Sequence, residues 1–228
     1  MKIIDLSQEI YSGMQVYKSL PPVDIKVHAT HEQWNKEENP TTYTPAVYKL
    51  EMSEHTGTHV DALNHMGKAF EGQSIDTMPL SMFYTEGICL DLTHFDLEEL
   101  IDVGDLKQAC EKAGLSIKQN DTVLLYTDHY RKHYHSGNWS KGPGLTAAAA
   151  YWLGQQKIAA FGVETMSPGV PKISNREVHH ICGKLGFTHY ENMVNLNQLV
   201  DQGRFIALPM KIRGGTGSPV RAVAIFED

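Results

Sequence analysis

Four side chains of types that bind metal ions occur within a segment of fourteen residues, EHTGTHVDALNHMG (54–67). They are His55, His59, Asp61 and His65. Imidazole nitrogens and carboxylate oxygens suit zinc and manganese, and a site that leaves one position open can activate water for hydrolysis. The alternative is a polar loop whose side chains are satisfied by hydrogen bonds. The density of ligand types favours the metal site.

The spacing of these residues distinguishes two local structures. On a helix, His55 and His59 would share a face, but Asp61 would not. In an extended chain, positions 55, 57, 59 and 61 all point to one side. Gly57 would then leave a space between the two imidazoles that a cation could occupy. The extended form is favoured, because the alternating pattern of residues 46–53 predicts a strand that runs directly into the motif.

Helices and strands must position this segment. The alanine-rich stretch 146–156 predicts a helix capped by Thr146. A second helix is predicted over residues 104–114, with Gly114 as its end. Together with the strands described next, these elements predict one α/β domain with a mixed sheet over residues 1–228, since helices and strands intermix without strict alternation.

A capping box is predicted at Ser174 and Glu177, ahead of a helix that extends to about Leu185. Residues 11–44 are rich in loop formers, because three prolines interrupt them. The segment GGTGS (214–218) is interpreted as a hairpin turn that joins the last two strands. Further strands are predicted over residues 1–10, 121–127, 158–164, 189–194, 204–212 and 219–226.

Composition excludes several classes of function. The chain has 228 residues and a formal net charge of −7, which argues against nucleic acid or an anionic membrane as a partner. It contains no apolar run of transmembrane length, and its first residues do not resemble a signal peptide. Its three cysteines form no CxxC pattern, which indicates reduced thiols in a cytoplasm and no cysteine-based zinc site.

The motif HTGTHVDALNH (55–65) resembles the HxGTHxDxPxH signature of the putative cyclase family of metal-dependent hydrolases, which includes bacterial kynurenine formamidases and isatin hydrolases. One position departs from the signature, because Leu63 replaces the proline. The resemblance extends over nearly the whole chain, through IDLSQEI and GMQVY near the start, GPGLTAAAAYWL in the middle and GSPVRAVAIF at the end.

This resemblance implies a fold and a metal site. The fold is a mixed, barrel-like curled β-sheet flanked by helices, assembled into a homodimer or homotetramer. The site holds one or two ions of zinc or manganese. The family's downstream ligands are a histidine and a glutamate twelve residues apart, and the adjacent His180 is interpreted as a surface residue of the helix. The implied metal ligands are His55, His59, Asp61, His179 and Glu191.

The resemblance also implies two residues that act on the substrate. His65 corresponds to the family's proton-transfer residue, a task that suits an imidazole with a pKa near neutrality. A fourth metal ligand or a structural hydrogen bonder is the alternative for His65. Tyr17 lies where the family places an aromatic residue in contact with the substrate, although kynurenine formamidases typically have tryptophan there.

The implied activity is hydrolysis of an amide or related C–N bond by a metal-activated water. The alternative is a catalytically inert metal-binding or assembly subunit of the same fold, and the presence of His65 favours the enzyme. Tyr17, Leu63 and Glu164 all depart from the formamidase pattern, so a formylated arylamine and a cyclic amide both remain open as substrates. The histidine-rich residues 128–139 are expected to form a polar loop near the substrate entrance rather than a metal site.

Overall fold

The computed structural model describes residues 1–35, 43–199 and 203–227. The helices of these ranges are α1 (His31–Trp34), α2 (Val103–Ala113), α3 (His129–His133), α4 (Ala147–Gln155) and α5 (Asn175–Leu185). The strands are β1 (Lys2–Asp5), β2 (Asp24–Ala29), β3 (Val47–Glu51), β4 (His59–Asp61), β5 (Tyr84–Asp91), β6 (Leu100–Ile101), β7 (Thr122–Tyr126), β8 (Gly144–Leu145), β9 (Ala160–Val163), β10 (Thr188–Glu191), β11 (Gly203–Ile206), β12 (Gly217–Pro219) and β13 (Val223–Phe226).

Nine of these strands form one mixed sheet in the order β1-β13-β11-β5-β7-β9-β10-β4-β12. The four central strands β5, β7, β9 and β10 run parallel to one another. The outer strands pair antiparallel on both sides of this centre. The sheet curls into a half-barrel flanked by few helices, which confirms the predicted mixed α/β class.

The centre of the sheet is buried on both faces. Val123, Leu124 and Leu125 on β7 are almost completely inaccessible to solvent, although consecutive residues of a strand point to opposite sides. Helices α2, α4 and α5 pack together beside the parallel strands that they connect. Because β7 is covered on both faces, its sequence is a continuous apolar run rather than an alternating one.

Two of the predicted helix ends are confirmed and one is wrong. The Thr146 hydroxyl accepts a hydrogen bond from the Ala149 amide at 3.0 Å, and Gly114 adopts a left-handed φ of 66° after α2. Ser174 does not form the predicted capping box with Glu177. Its hydroxyl instead accepts a hydrogen bond from the Val170 amide at 3.0 Å, because the tight turn before α5 competes for the same oxygen.

The predicted hairpin at residues 214–218 is also wrong. Strand β11 ends at Ile206 and pairs with β5 and β13, whereas residues 217–219 form β12 and pair with β4. The glycine-rich segment therefore carries the chain to the far edge of the sheet. Strand pairing between distant segments is decided by the assembled sheet and not by the local turn sequence.

Strands β2 and β5 lie in regions where no strand was predicted. Strand β2 pairs with β3 in a two-stranded ribbon apart from the main sheet. One face of this ribbon carries Val27, Tyr48 and Leu50, and each of these side chains is more than half exposed. Among the described residues, no helix has the length and apolar character needed to cross a membrane.

Candidate metal centre

The pairing of β4 with β10 brings the two halves of the site together. Glu191 lies directly opposite His59 in the antiparallel register. Directly opposed residues share a face of the sheet, so both side chains point to the same side. Asp61 and His189 lie two positions away on the same strands and share that face because side chains alternate with period two. All four side chains are buried.

The segment before β4 is not extended as predicted. Gly57 has a φ of 61°, and strand β4 comprises only residues 59–61. A side chain at Gly57 would be strained by this left-handed backbone and would lie 3.2 Å from Ile10, so glycine does not serve to open a space between the imidazoles. The turn at Gly57 nevertheless returns His55 to the same cluster.

Asp61 stands at the centre of the cluster, and its two oxygens face different histidines. Oδ1 lies 2.8 Å from Nδ1 of His55 and 3.4 Å from Nε2 of His59. Oδ2 lies 3.5 Å from Nε2 of His179 and 3.2 Å from Nε2 of His189. This arrangement is the one expected of a carboxylate that bridges two ions.

Glu191 repeats this arrangement on the second carboxylate. Its Oε2 lies 3.5 Å from Nε2 of His59, while its Oε1 lies 3.9 Å from Nε2 of His179 and 3.4 Å from Nε2 of His189. Both carboxylates therefore direct one oxygen to each side of the cluster.

Backbone and hydroxyl groups orient three of the histidines. His59 donates from Nδ1 to the Gly57 carbonyl at 2.8 Å, and His179 donates from Nδ1 to the Asn175 carbonyl at 2.8 Å. Nε2 of His55 lies 2.9 Å from the Thr216 hydroxyl. In each ring the other nitrogen is left facing the carboxylates, as is usual for metal-binding histidines.

His189 was missed in the sequence. It lies two residues before Glu191 in THYE, and its side chain is completely buried. The period of two along a strand was the available signal, because it places His189 on the face of Glu191. The predicted strand over residues 189–194 already contained this signal, but only the pairing of β10 with β4 brings His189 to the motif.

The two buried carboxylates of the cluster favour positive charge on the groups around them. Burial alone would raise the pKa of Asp61, but the neighbouring His189, His179 and His55 hold it well below its usual range. Burial opposes the charged form of His59, yet Asp61 and Glu191 outweigh it and raise the pKa of that imidazole. In the metal-free chain, the raised pKa values of His59 and His189 favour positive charge beside the carboxylates, which a divalent ion would otherwise supply.

His65 lies at the margin of the cluster, on the short 3₁₀ turn Leu63–Met66. Its Nε2 is 3.6 Å from Oδ2 of Asp61, and its ring centroid is 4.3 Å from that of His55. Its side chain is 40% exposed, whereas those of Asp61 and His189 are at most 1% exposed. Burial lowers the pKa of His65, which favours the neutral imidazole.

A cavity of about 150 Å³ opens above the cluster. Tyr17, for which the sequence predicts contact with the substrate, lines this cavity, and Asn192 lines it beside Glu191. The members of the cluster that also line this cavity are His55, His59, Asp61, His65, His179 and Glu191.

Other residues singled out in the sequence lie elsewhere. His180 is exposed and packs near Phe70, which confirms its interpretation as a surface residue. Glu164 is buried and accepts hydrogen bonds from the backbone amides of Thr127 and His129. Glu164 therefore fixes the start of residues 128–139, of which His129–His133 form α3 rather than the predicted loop, and none of these residues belongs to the cluster.

The donors form two groups that share Asp61. In one group, donor atoms of Asp61, His179, His189 and Glu191 all lie within 4.8 Å of one another. In the other group, those of His55, His59 and Asp61 do so. Imidazoles and carboxylates without sulfur suit divalent zinc or manganese, and the unpartnered nitrogens of His189 need a partner in the interior, so the residues fit such ions.

The chain is similar in sequence to known proteins over most of its length. The Cyclase family model, described as putative cyclase, matches residues 4–170. The chain is 30% identical over 223 residues to a kynurenine formamidase of Bacillus thuringiensis (strain Al Hakam), with 96% of this chain and 95% of the relative covered. It is 29% identical over 225 residues to the kynurenine formamidase of Bacillus anthracis, with 97% of this chain and 96% of the relative covered.

Solved structures share the fold. Isatin hydrolase A from Ralstonia solanacearum superposes with a TM-score of 0.85 at 24% identity, over 99% of this chain and 92% of that chain. A potential metal-dependent hydrolase with cyclase activity superposes with a TM-score of 0.75 at 24% identity, over 98% and 96%. The family match, the relatives and the buried histidine–carboxylate cluster lead to one conclusion: the chain belongs to the Cyclase family and is a metal-dependent hydrolase of amide bonds.

Proposed function

We propose that this hydrolase acts on the amide bond of a small aromatic compound. One divalent ion would be held on each side of Asp61. The observation that carries the proposal is the placement of the two donor groups at the floor of a cavity that His65 and Tyr17 also line. His55, His59 and Asp61 are the proposed ligands of one ion, and His179, Glu191 and Asp61 those of the other.

Zinc and manganese are the proposed ions, because both accept imidazole and carboxylate donors. When bound, such ions polarise a carbonyl group and lower the pKa of a water molecule. Asp61 and Glu191 hold the negative charge that attracts them, and Asp61 is positioned to bridge, since one of its oxygens faces each donor group.

His65 is the proposed proton-transfer residue. It lies in neither donor group among the described residues, yet its ring lines the same cavity. The lowered pKa leaves the imidazole neutral and able to accept a proton from the attacking water. The resulting imidazolium can donate that proton to the leaving nitrogen, which completes the hydrolysis without an external acid.

The volume and the lining of the cavity favour a small aromatic substrate. A volume of about 150 Å³ is comparable to that of a cavity that admits one benzene ring. Val16, Tyr17, Leu20 and Met166 supply apolar and aromatic wall, with Tyr17 placed to contact the ring.

Asn192 is a polar wall residue suited to orienting the amide. Its Nδ2 donates to the Gly57 carbonyl at 3.1 Å, which leaves Oδ1 as a buried acceptor without a partner among the described residues. Asn192 lines the cavity beside Glu191, where its amide group can contact the substrate.

An assay of purified protein with added zinc or manganese tests the proposed substrate class. The panel contains N-formyl anilides, cyclic aryl amides such as isatin, aliphatic formamides and aryl lactones. Formyl anilides are tested first, because the relative that is 30% identical to this chain is a kynurenine formamidase. Turnover of the aryl amides that exceeds turnover of the aliphatic formamides supports the proposal, and preference for the lactones would overturn it. Stoichiometric metal without turnover of any compound would favour the inert metal-binding subunit.

We also propose a cytoplasmic homodimer or homotetramer. The assembly is proposed from the family resemblance, and the location from three cysteines that are all free thiols. Light scattering of the purified protein should give a mass of two or four chains. A monomer at micromolar concentration would contradict the proposed assembly.

A further inference from the structure

Neither ring nitrogen of His189 makes a hydrogen bond of good geometry among the described residues, and the polar atoms close to Nε2 are the carboxylate oxygens of Asp61 and Glu191. The side chain of His189 is completely buried, so water does not satisfy its nitrogens at the surface. A buried polar group without a partner carries a substantial free-energy cost and calls for an explanation. His55, His59 and His179 do not share this feature, because each has a partner for one of its ring nitrogens.

The ring of His189 is held in one orientation. It stacks on Phe161 with a centroid distance of 5.5 Å and an interplanar angle of 29°, and it meets His179 edge-on at 4.7 Å. A further polar neighbour is the buried thiol of Cys182, which is a weak hydrogen-bonding group. Packing therefore directs Nε2 towards the two carboxylates.

The distances around Nε2 of His189 match the edges of a metal coordination tetrahedron. Donors that lie about 2.1 Å from one ion are roughly 3.4 Å apart when they are tetrahedral. Nε2 lies 3.2 Å from Oδ2 of Asp61 and 3.4 Å from Oε1 of Glu191. The corresponding distances from Nε2 of His179 are 3.5 Å and 3.9 Å.

We propose that His189 is a direct ligand of the ion bound by Asp61, His179 and Glu191, and that it completes a set of four protein donors around this ion. The inference rests on the proposed function, because it requires that the cluster bind metal. It adds a ligand that is completely buried and that, unlike His179 and Glu191, does not line the cavity.

The two ions would then differ in their availability to the substrate. A zinc site with four protein donors is closed, as structural sites are, whereas a site with three donors keeps a position open for water. His55, His59 and Asp61 form such a three-donor group. With His189 as a ligand of the other ion, the ion bound by His55, His59 and Asp61 is the one that keeps an open position for the reacting water.

Titration of metal-free protein with Co²⁺ alone tests the inference without an activity assay. Four-coordinate Co²⁺ absorbs visible light far more strongly than six-coordinate Co²⁺, so the spectrum reports the coordination number, bound water included. The variants below then report whether His189 is one of the donors. We expect wild-type protein to bind two ions per chain, the tighter one with a strong four-coordinate spectrum. A six-coordinate spectrum for the tighter ion would overturn the inference, whatever the variants show.

Substitution of His189 should remove that ion. We expect His189→Phe to weaken its binding by more than about 100-fold, beyond the usual loss when only a group behind a ligand is changed. His189→Gln keeps a polar group against the carboxylates and should lose the same ion, which guards against misfolding of the phenylalanine variant. Two ions per chain with the wild-type spectrum in either variant would contradict the inference.

The matched control is His180→Phe. His180 is exposed on α5 next to His179, so its loss should leave both ions in place. Loss of an ion in this control would show that any histidine near α5 matters, and it would overturn the specific role of His189. A wild-type protein that binds no divalent ion would fail the proposed function itself. Amide hydrolysis with two ions retained in His189→Gln would fail this inference alone.

Discussion

Two regions of the molecule are rich in histidine, and their structures differ. In the histidine–carboxylate cluster, His59 and His189 direct Nε2 towards the carboxylates of Asp61 and Glu191. In residues 128–139, His129 is equally buried, but its Nε2 bonds to the Trp139 carbonyl at 2.9 Å.

The carboxylate near each region explains the difference. Asp61 directs its oxygens at imidazole rings, whereas Oε2 of Glu164 accepts hydrogen bonds from the Thr127 amide, the Thr127 hydroxyl and the His129 amide. Glu164 therefore fixes the backbone at the start of α3 and leaves the His129 ring to stack on Trp139, with a centroid distance of 5.2 Å. Buried histidines become candidate metal ligands only where carboxylate oxygens converge on the same point.

Removing one histidine from each region should give the largest contrast. His59→Ala should lose bound metal and reduce activity by more than the 10²- to 10⁴-fold typical of a lost acid–base group, because it removes a proposed ligand. His129→Ala, the matched control, should keep its full metal content. Elemental analysis and turnover of both variants provide the measurement. Stoichiometric metal in His59→Ala would place the ion elsewhere.

His65→Ala sharpens the comparison within the cluster itself. We expect kcat to fall on the order of 10²- to 10⁴-fold while the metal content stays at the wild-type level, because His65 is proposed to move protons and not to bind the ion. Parallel loss of metal would make His65 a ligand. Wild-type turnover would show that another group moves the proton, and Glu191 would be the first to examine.

The pH dependence of stability should expose the buried carboxyl of the second region. Burial raises the pKa of Glu164 from 4.5 to about 7. The unfolded chain loses this proton near pH 4.5 while the folded chain keeps it, so the contribution of Glu164 to stability is full below pH 4.5 and lost as the pH rises to about 7. The loss should amount to roughly 3 kcal/mol.

Urea unfolding of wild type and Glu164→Gln at several pH values isolates this effect. The stability of wild type relative to the variant should fall across that window. The neighbouring Cys89 and Tyr126 have pKa values raised by burial and do not ionise there. The His129 ring, whose pKa is lowered by burial, is present in both proteins. Parallel pH curves for the two proteins would contradict the assignment.

The smallest expected effect belongs to His129→Phe. The new ring can keep the stacking on Trp139, but the Trp139 carbonyl loses its donor. The free energy of unfolding should fall by about 1–2 kcal/mol, with metal content and kcat unchanged. Urea unfolding at neutral pH measures the difference. A marked loss of metal in this variant would join the two regions in one site and break the comparison.

Part of the candidate site could be predicted because its ligands follow a dense motif. His55, His59, Asp61 and His65 are close together in sequence, and resemblance to the family identified His179 and Glu191. The structure brings all six side chains to one cavity. His189 escaped prediction although a strand was predicted over residues 189–194, because nothing in the sequence pairs that strand with β4.

Local patterns also determined several elements of the fold. The apolar run of β7 and the Thr146 cap of α4 depend on neighbours in sequence, and both predictions are confirmed. Ser174 and residues 214–218 show the limit of this reasoning. Their side chains and turns had more than one local partner available, and the packing of distant segments selected between them.

The sequence by itself thus determined which donor types are present and that they suit a divalent ion. Only the tertiary structure decided how they are divided, because the β4–β10 register places Glu191 opposite His59 across more than a hundred residues of chain. That register, and not the spacing within the motif, lets each of the two carboxylates, Asp61 and Glu191, direct one oxygen to each side of the cluster. Strand register is set by the burial of whole faces in the assembled sheet, which no short segment contains.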